Sequence, residues 1–331
     1  MTQSRTTTAV LTLAAAVSSV TFAAAAQPAE KFPNRPVRMI VPYSPGGATD
    51  IVARQVASRL GEYWGYQVVV DNRAGGSGAI ALETVARATP DGYTLLVGNV
   101  STNAIAEFAF AKTLAIKPSR DLAAVTNLIE IPHMFMINPT VPVTSLKQLA
   151  EYAKTAPRMA YASAGIASYP HLDAARLVKA MGIEMTHIPY KGGAGQIVPA
   201  IIGNEVQFTM LNLASSLPHL RAGRVKPLAT TWPARRAEFP DVPTMAEAGY
   251  PGIGTNAWNG LFAPARLSPA LLAQIHAATL KVVASPEMKE ALAKQLIYVV
   301  TSKSPADYAR FVSEEVAKWA AVIRENNIAL E

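Results

Sequence analysis

Short runs of β-branched residues alternate with amphipathic helical patterns along nearly the whole of this chain, and few architectures accept that rhythm. The runs are VRMIVPY (37–43), YQVVVDN (66–72), YTLLVGN (93–99), MAYASA (159–164), EMTHIPY (184–190), VQFTMLN (206–212) and VKPLATT (225–231). Between them, DIVARQVASRLGEY and HLDAARLVKAMG carry apolar residues at helical spacing, and the second stops at Gly182, a residue suited to the left-handed turn that ends a helix. Strand, helix, strand in succession means right-handed crossovers and parallel pairing, so the chain reads as α/β.

Two longer extended segments break the rhythm: LIEIPHMFMINP (128–139) and TNAWNGLFAP (255–264). Each falls where a set of three βα units ends, so both are read as strands passing between two α/β lobes. The expected layout is a discontinuous first lobe (27–133 and 254–331) and a second lobe (134–253), with two parallel-rich sheets and a hinge between them. The C-terminal segments SPALLAQIHAATLKVVAS and SPADYARFVSEEVAKWAAVIREN each open on Ser-Pro, serine capping and proline taking the first helical position. They are expected to pack back on the first lobe.

The chain of 331 residues has no cysteine, which removes disulfides, thiolate nucleophiles and thiolate metal sites. Its start has the form of a cleaved export signal, residues 1–26: Arg5, then the apolar AVLTLAAAVSSVTFAAAA, with Ala24 and Ala26 in the small-x-small pattern. The compartment expected is the periplasm. The formal charge of +7 comes from scattered Lys and Arg, with no basic-aromatic interleaving, so no nucleic-acid partner is expected. His133, His171, His187, His219 and His276 have no metal-ligand spacing, and no metal or other cofactor is assigned.

Glycine and small polar residues collect at strand-to-helix turns, where open α/β sheets place ligands. In YSPGGATD, Gly46 and Gly47 allow backbone N–H groups to approach a ligand, and the following helix directs its positive end there. DNRAGGSGAIALETVARA nearly matches a dinucleotide fingerprint, but the acid expected at the end of the next strand is absent, where VGN stands. The GGSGA within it has Ala79 where a nucleophile elbow needs glycine, and YKGGAGQ has its lysine ahead of the glycines, unlike a phosphate loop. YASAGIASYPHLDAAR, with Ser163, Gly165 and Ser168, mirrors the first turn in the second lobe. Two helix N-termini facing one cleft suit an anion with two ends and ask for no catalytic side chain.

Together FPNRPVRMIVPYSPGGATDIVAR, VVVDNRAGGSGAIALETVARATPDGYTLLVGN, MTHIPYKGGAGQIVPAIIGNEVQFTMLN, RRAEFPDVPTMAEAGYPG and WNGLFAP resemble the Bug-type substrate-binding proteins of tripartite tricarboxylate transporters, from about Phe32 to the C-terminus. The resemblance implies a two-lobed periplasmic fold that closes on a small carboxylate held by loop N–H groups. By motif position it implies first-lobe contacts from Tyr43, Ser44, Gly46, Gly47, Asp50, Ser101, Thr102 and Asn103. The second-lobe contacts would be Ser163, Ala164, Gly165 and Ser168, with Lys191, Gly192 and Asn212 near the rim. Asp50 is expected to order its loop, since its charge would repel an anion. Two departures stand out: Ala167 replaces the second glycine of the family's Gly-x-Gly-Ser loop, and FAFAKTLAIKPSRDL lacks the usual Leu-Pro-Tyr-Asp pattern.

The expected function is a non-enzymatic, monomeric receptor that hands a carboxylate to membrane transporter subunits by docking, not insertion. A ligand-presenting sensor and a serine hydrolase built on Ser77 or Ser163 are the rival classes. The ligand stays open among a C4 dicarboxylate, a tricarboxylate, an aromatic acid and a neutral nicotinamide-like molecule.

Overall fold

The computed structural model describes residues 32–156 and 158–326, and the export signal read at 1–26 lies outside them. Its strands are β1 (Val37–Val41), β2 (Val68–Asn72), β3 (Thr94–Asn99), β4 (Leu122–Ile131), β5 (His133–Ile137), β6 (Met159–Ser163), β7 (Met185–Pro189), β8 (Phe208–Asn212), β9 (Lys226–Thr230), β10 (Ala257–Pro264) and β11 (Tyr298–Val299). They form two sheets, ordered β11-β4-β10-β3-β1-β2 and β7-β6-β8-β5-β9.

Apart from β11, the two sheets follow one plan. In each lobe the opening strand pairs in parallel with both of the next two, β1 with β2 and β3, β6 with β7 and β8. Beside the third lies a reversed strand: β10 against β3 and β4, β5 against β8 and β9. These reversed strands are the two by which the chain arrives from the other sheet. The sheets are therefore mixed, and parallel pairing is confined to the βα units. A crossing strand takes its direction from where the chain enters, which leaves no mark on composition.

The segment 128–139 reads as one extended run, yet it divides at Pro132, the single residue between β4 and β5. Proline lacks the N–H a ladder needs, so one sheet ends and the other begins there. Residues Met134 to Ile137 are all fully buried, so β5 has no polar face and its sequence, HMFMI, does not alternate.

The helix Ala48–Trp64 turns Val52, Val56 and Leu60 onto its sheet at four-residue spacing, and Gly65 closes it at φ 73° with its N–H on the Gly61 carbonyl. Each such fully buried Val or Leu contributes about 1.5–3 kcal/mol. The C-terminal helices begin as read: Ser268 accepts the Leu271 N–H at 3.3 Å and Ser304 the Asp307 N–H at 3.1 Å. The last helix, Pro305–Asn326, buries Tyr308 and Trp319 completely or nearly so and covers the first sheet, with Tyr308 edge-on to Trp258 of β10.

Candidate functional site

Strand order reverses between β1 and β3 in the first sheet and between β6 and β8 in the second. Helices there leave toward opposite faces and open a crevice at the carboxyl ends of the strands. One cavity of about 60 Å³ lies across both crevices. Its wall is made by Tyr43, Gly47, Ala48 and Thr49 after β1, Asn99 and Ser101 at the end of β3, Ala164, Tyr169 and Pro170 after β6, Gly192, Gly193 and Ala194 after β7, and Asn212 at the end of β8. A larger hollow of about 570 Å³ on the outer side of the second lobe, with Arg158, Lys179 and Glu184, meets neither crevice.

Several hydrogen-bond donors in the wall have no partner among the described residues. In the helix starting at Ala48 the first N–H returned inward is that of Ile51, to the Gly47 carbonyl at 3.0 Å. The amides of Gly47, Ala48 and Thr49 thus remain at the cavity, at the positive end of a 17-residue helix. Across the cleft, Gln196 and Ile197 both donate to the Gly193 carbonyl, leaving the Ala194 amide at the wall. Asn212 uses its Oδ1 to cap the next helix, accepting from Ser215 N–H at 2.8 Å, so its Nδ2 is the group left to donate. Asn99 Oδ1 takes the N–H groups of Ser101 and Thr102 at 3.0 and 3.3 Å, and its Nδ2 reaches Tyr43 Oη at 3.1 Å. Burial raises the Tyr43 phenol, and burial with the neighbouring Tyr43 and Asp173 pushes Tyr169 well up, so both stay neutral. The wall contains no Lys, Arg, His, Asp or Glu among the described residues.

Of the residues expected at the site, Tyr43, Gly47, Ser101, Ala164, Gly192 and Asn212 stand at this cavity. The others surround it. Asp50, 3% exposed, accepts from Gly46 N–H and Arg54 Nε, both at 3.0 Å, and from Asn72 Nδ2 at 2.9 Å. Burial pushes its carboxyl up, but these donors outweigh it and hold the group below the usual range. Gly46 consequently gives its N–H to Asp50 and holds the loop, whereas Gly47 is the glycine with a free amide. Ser44 lies in the same loop, half-buried and outside the wall, and Lys191 is exposed at the rim. Thr102 and Asn103 lie buried behind Asn99, Thr102 Oγ1 accepting its N–H at 3.0 Å and donating to Asn103 Oδ1 at 2.7 Å.

Ser163, Gly165 and Ser168 shape the second-lobe turn from within. Ser168 donates to the Gly165 carbonyl at 2.7 Å while capping the helix Tyr169–Ala180. Ser163 Oγ meets His187 Nε2 at 2.7 Å and the Gly165 N–H and carbonyl at 3.2 and 3.0 Å. Ser163 is fully buried, so this Ser–His pair is a structural contact, and Ser77 sits in a left-handed turn at φ 52°. Ala167 takes φ 58°, which explains the family's glycine there: an L-residue pays about 1–2 kcal/mol for this conformation. Its N–H donates to His171 Nδ1 at 3.1 Å, and its methyl is buried.

Ala48, Thr49, Asn99, Tyr169, Pro170, Gly193 and Ala194 were not singled out by the sequence. Six of them are helix-start or pre-helix residues beside loops that were, and the switch-point rule extended by one turn would have found them.

The lobes touch over the cavity. Tyr169 N–H donates to Ser101 Oγ at 3.2 Å, and a Cβ on Gly195 would lie 3.3 Å from the Pro45 carbonyl oxygen.

Residues 52–328 match the model of a family described as the tripartite tricarboxylate transporter family receptor. The chain is 33% identical over 304 residues to protein BugT of Bordetella pertussis, covering 92% of this chain and 93% of that one. It is similar to a Rhodopseudomonas palustris structure solved with adipate, at TM-score 0.85 and 32% identity, covering 90% and 99% of the two chains. A second structure from that organism, MatC with bound malate, matches at TM-score 0.82 and 30% identity, covering 88% and 100%.

Proposed function

Since the chain belongs to the tripartite tricarboxylate transporter receptor family, whose members are solute-binding proteins and not enzymes, we propose that it captures a small dicarboxylate in the periplasm and delivers it to a tripartite transporter in the membrane. The observation that carries this reading is a cavity into which each lobe turns unpaired donors, the amides of Gly47, Ala48 and Thr49 from one and the Ala194 amide and Asn212 Nδ2 from the other, with no charged side chain in its wall. Such a wall stabilises negative charge at each end of a ligand through oriented N–H groups and helix dipoles. It offers no carboxylate to an ammonium group, so amino acids are poor candidates. The malate and adipate seen in its relatives carry two carboxylates and are the ligands to try first.

Opening to admit the ligand turns on the two places where the chain changes sheets, around Pro132 and between Thr230 and Ala257. These crossings are the proposed limits of the two lobes.

The Gly47 amide gives the direct test. Gly47 has φ −81°, which proline accepts, so Gly47→Pro removes one donor and leaves the turn. A hydrogen bond to a charged group is worth about 1.5–3 kcal/mol, so calorimetry with malate and adipate should show affinity falling about 10- to 100-fold. Gly47→Ala retains the N–H, meets no atom within 4 Å, and should cost much less. Equal affinity for the proline variant would sink the amide-cradle reading.

Gly195 tests closure. Gly195→Ile places a branched side chain against Pro45 only when the lobes meet, while replacing a helical glycine improves local propensity by roughly 0.5 kcal/mol. The expected outcome is an unchanged or higher melting temperature with about tenfold weaker binding; a variant that binds as wild type would mean that the lobes need not meet here.

A further inference from the structure

His133 opens β5 directly after the crossing from the first sheet, and it is 1% exposed. Its backbone joins the two crossings. The His133 N–H donates to Thr231 Oγ1 at 2.9 Å, the Thr231 N–H donates to the His133 carbonyl at 2.9 Å, and Thr231 Oγ1 donates to Asn256 Oδ1 at 2.8 Å. One crossing runs through Pro132 and the other through Thr231 to Asn256, so a single residue pins both.

Its ring points the other way. Nδ1 lies 3.1 Å from the Ile131 carbonyl oxygen, which can only accept, so Nδ1 carries the proton. Nε2 is then an acceptor, and its partner is the Tyr169 hydroxyl, which must donate. The two rings meet edge to face, centroids 5.0 Å apart. Tyr169 in turn stands in the cavity wall and gives its backbone N–H to Ser101 of the opposite lobe.

We propose that His133 and Tyr169 form a strut between hinge and cleft, His133 acting as a positioning residue that sets the closed arrangement of the lobes by holding Tyr169 where its N–H reaches Ser101. The strut rests on the hinge-closing reading above. His133 of β5 and Tyr169 after β6 belong to the same sheet's lobe, so a rotation at Pro132 carries imidazole and phenol together, and the cross-cleft hydrogen bond to Ser101 forms or breaks with them. The Tyr169 hydroxyl proton is thereby turned to the hinge and is not a donor to the ligand. Burial holds the imidazole neutral, with its titration pushed down to about 3, so the acceptor nitrogen persists throughout the range in which the protein works.

Two measurements test this in the ligand-free protein. With 15N-histidine labelling, His133 should show the Nδ1–H tautomer with an unprotonated, hydrogen-bonded Nε2, and Tyr169→Phe should shift that Nε2 resonance alone. Because the chain has no cysteine, spin labels can be placed cleanly at Lys112→Cys and Lys154→Cys, one on each lobe, and the distance between them read by double electron–electron resonance. Losing the partner of a buried polar group should lower the closed-to-open ratio about tenfold in Tyr169→Phe. His133→Phe should do the same, and the double variant should fall no further, since each change breaks the same link. Tyr169→Phe keeps the ring, so it carries the test even if the histidine variant folds poorly. An Nε2–H tautomer, an unchanged ratio in Tyr169→Phe, or additive losses would overturn the strut. A wild-type chain with one fixed distance, with malate or without, would remove the hinge motion and the strut with it, whereas the tautomer result would then still report the contact itself.

Discussion

Urea midpoints measured from pH 7 down to pH 5 should fall by about 1 M, a loss of roughly 3–5 kcal/mol, against which the buried Asp173 and half-buried Glu130 carboxyls, pushed up by desolvation, work. Three histidines carry most of the loss, with His219, also lowered by burial, adding in the same direction. Burial pushes His133 down to about 3 and His171 to about 4, and burial together with the adjacent His171 pushes His187 to about 3, against an ordinary value of 6.5. His171 and His187 are stacked with centroids 3.9 Å apart, so a charge on one would face the other. The unfolded chain takes up protons near pH 6.5 while the folded chain refuses them. Their contribution is therefore whole above about pH 6.5 and declines as pH falls toward 3–4, at up to about 1.4 kcal/mol per pH unit for each residue. His187 is only partly buried and is counted at less than that. Asp50, Asp71 and Asp307, held low by their partners, extend the loss in the same direction below about pH 4. His171→Asn, whose Oδ1 can still accept the Ala167 N–H, should remove about a third of the slope between pH 7 and 5. A midpoint that stays flat over that range would show that these imidazoles titrate normally.

The cavity wall shows why part of the site could be read from sequence and part could not. Tyr43, Gly47 and Ala164 stand in turns between a strand and a helix, and the donors there are backbone groups, so position alone marks them. Asn99 is the last residue of β3, where a side chain reads as part of the sheet, yet it organises Tyr43, Ser101 and Thr102. Thr49 and Ala194 read as ordinary helix residues, although a helix exposes its unpaired amides there. Gly46 and Gly47 look equivalent until the Asp50 carboxylate, four residues on in the sequence, is seen to take the first and not the second. His133 gives no sequence signal, because its partner Tyr169 lies 36 residues away and the crossing it pins is made of two segments nearly 100 residues apart. The βα units were legible because each is local. The segments holding β5 and β10 were expected to pass between lobes, yet each strand lies within one sheet and the chain changes sheet just before it, and their antiparallel pairing is a property of the assembled sheet.

Gly260→Ala should cost about 3 kcal/mol and lower the melting temperature by about 6–10 °C, with ligand affinity retained in the folded fraction. Gly260 of β10 pairs with Gly98 of β3, and the two form a bare strip on the first sheet. A methyl on Gly260 would land on the Tyr308 ring and its hydroxyl. Tyr308 cannot retreat: it is fully buried, 5.3 Å from Phe262 and 6.1 Å from both Trp258 and Phe311 by ring centroids. The clash therefore displaces the whole helix Pro305–Asn326 that carries it. Tyr308→Leu added to Gly260→Ala should recover part of the loss, because the smaller side chain clears the new methyl. Gly98→Ala, the same change one strand away, places its methyl 3.1 Å from the edge of the Phe262 ring but meets chiefly the side-chain amide of Asn103, the end of a flexible side chain that can turn. Doing so breaks its bond with Thr102 Oγ1, the hydroxyl that also holds the Asn99 N–H at 3.0 Å. That variant should lose less stability but bind malate or adipate about tenfold more weakly, since the Asn99–Ser101 corner forms part of the cavity wall. Equal effects of the two alanines on stability and on binding would mean that the strip acts as one packing surface, with no separate line from Gly98 to the site.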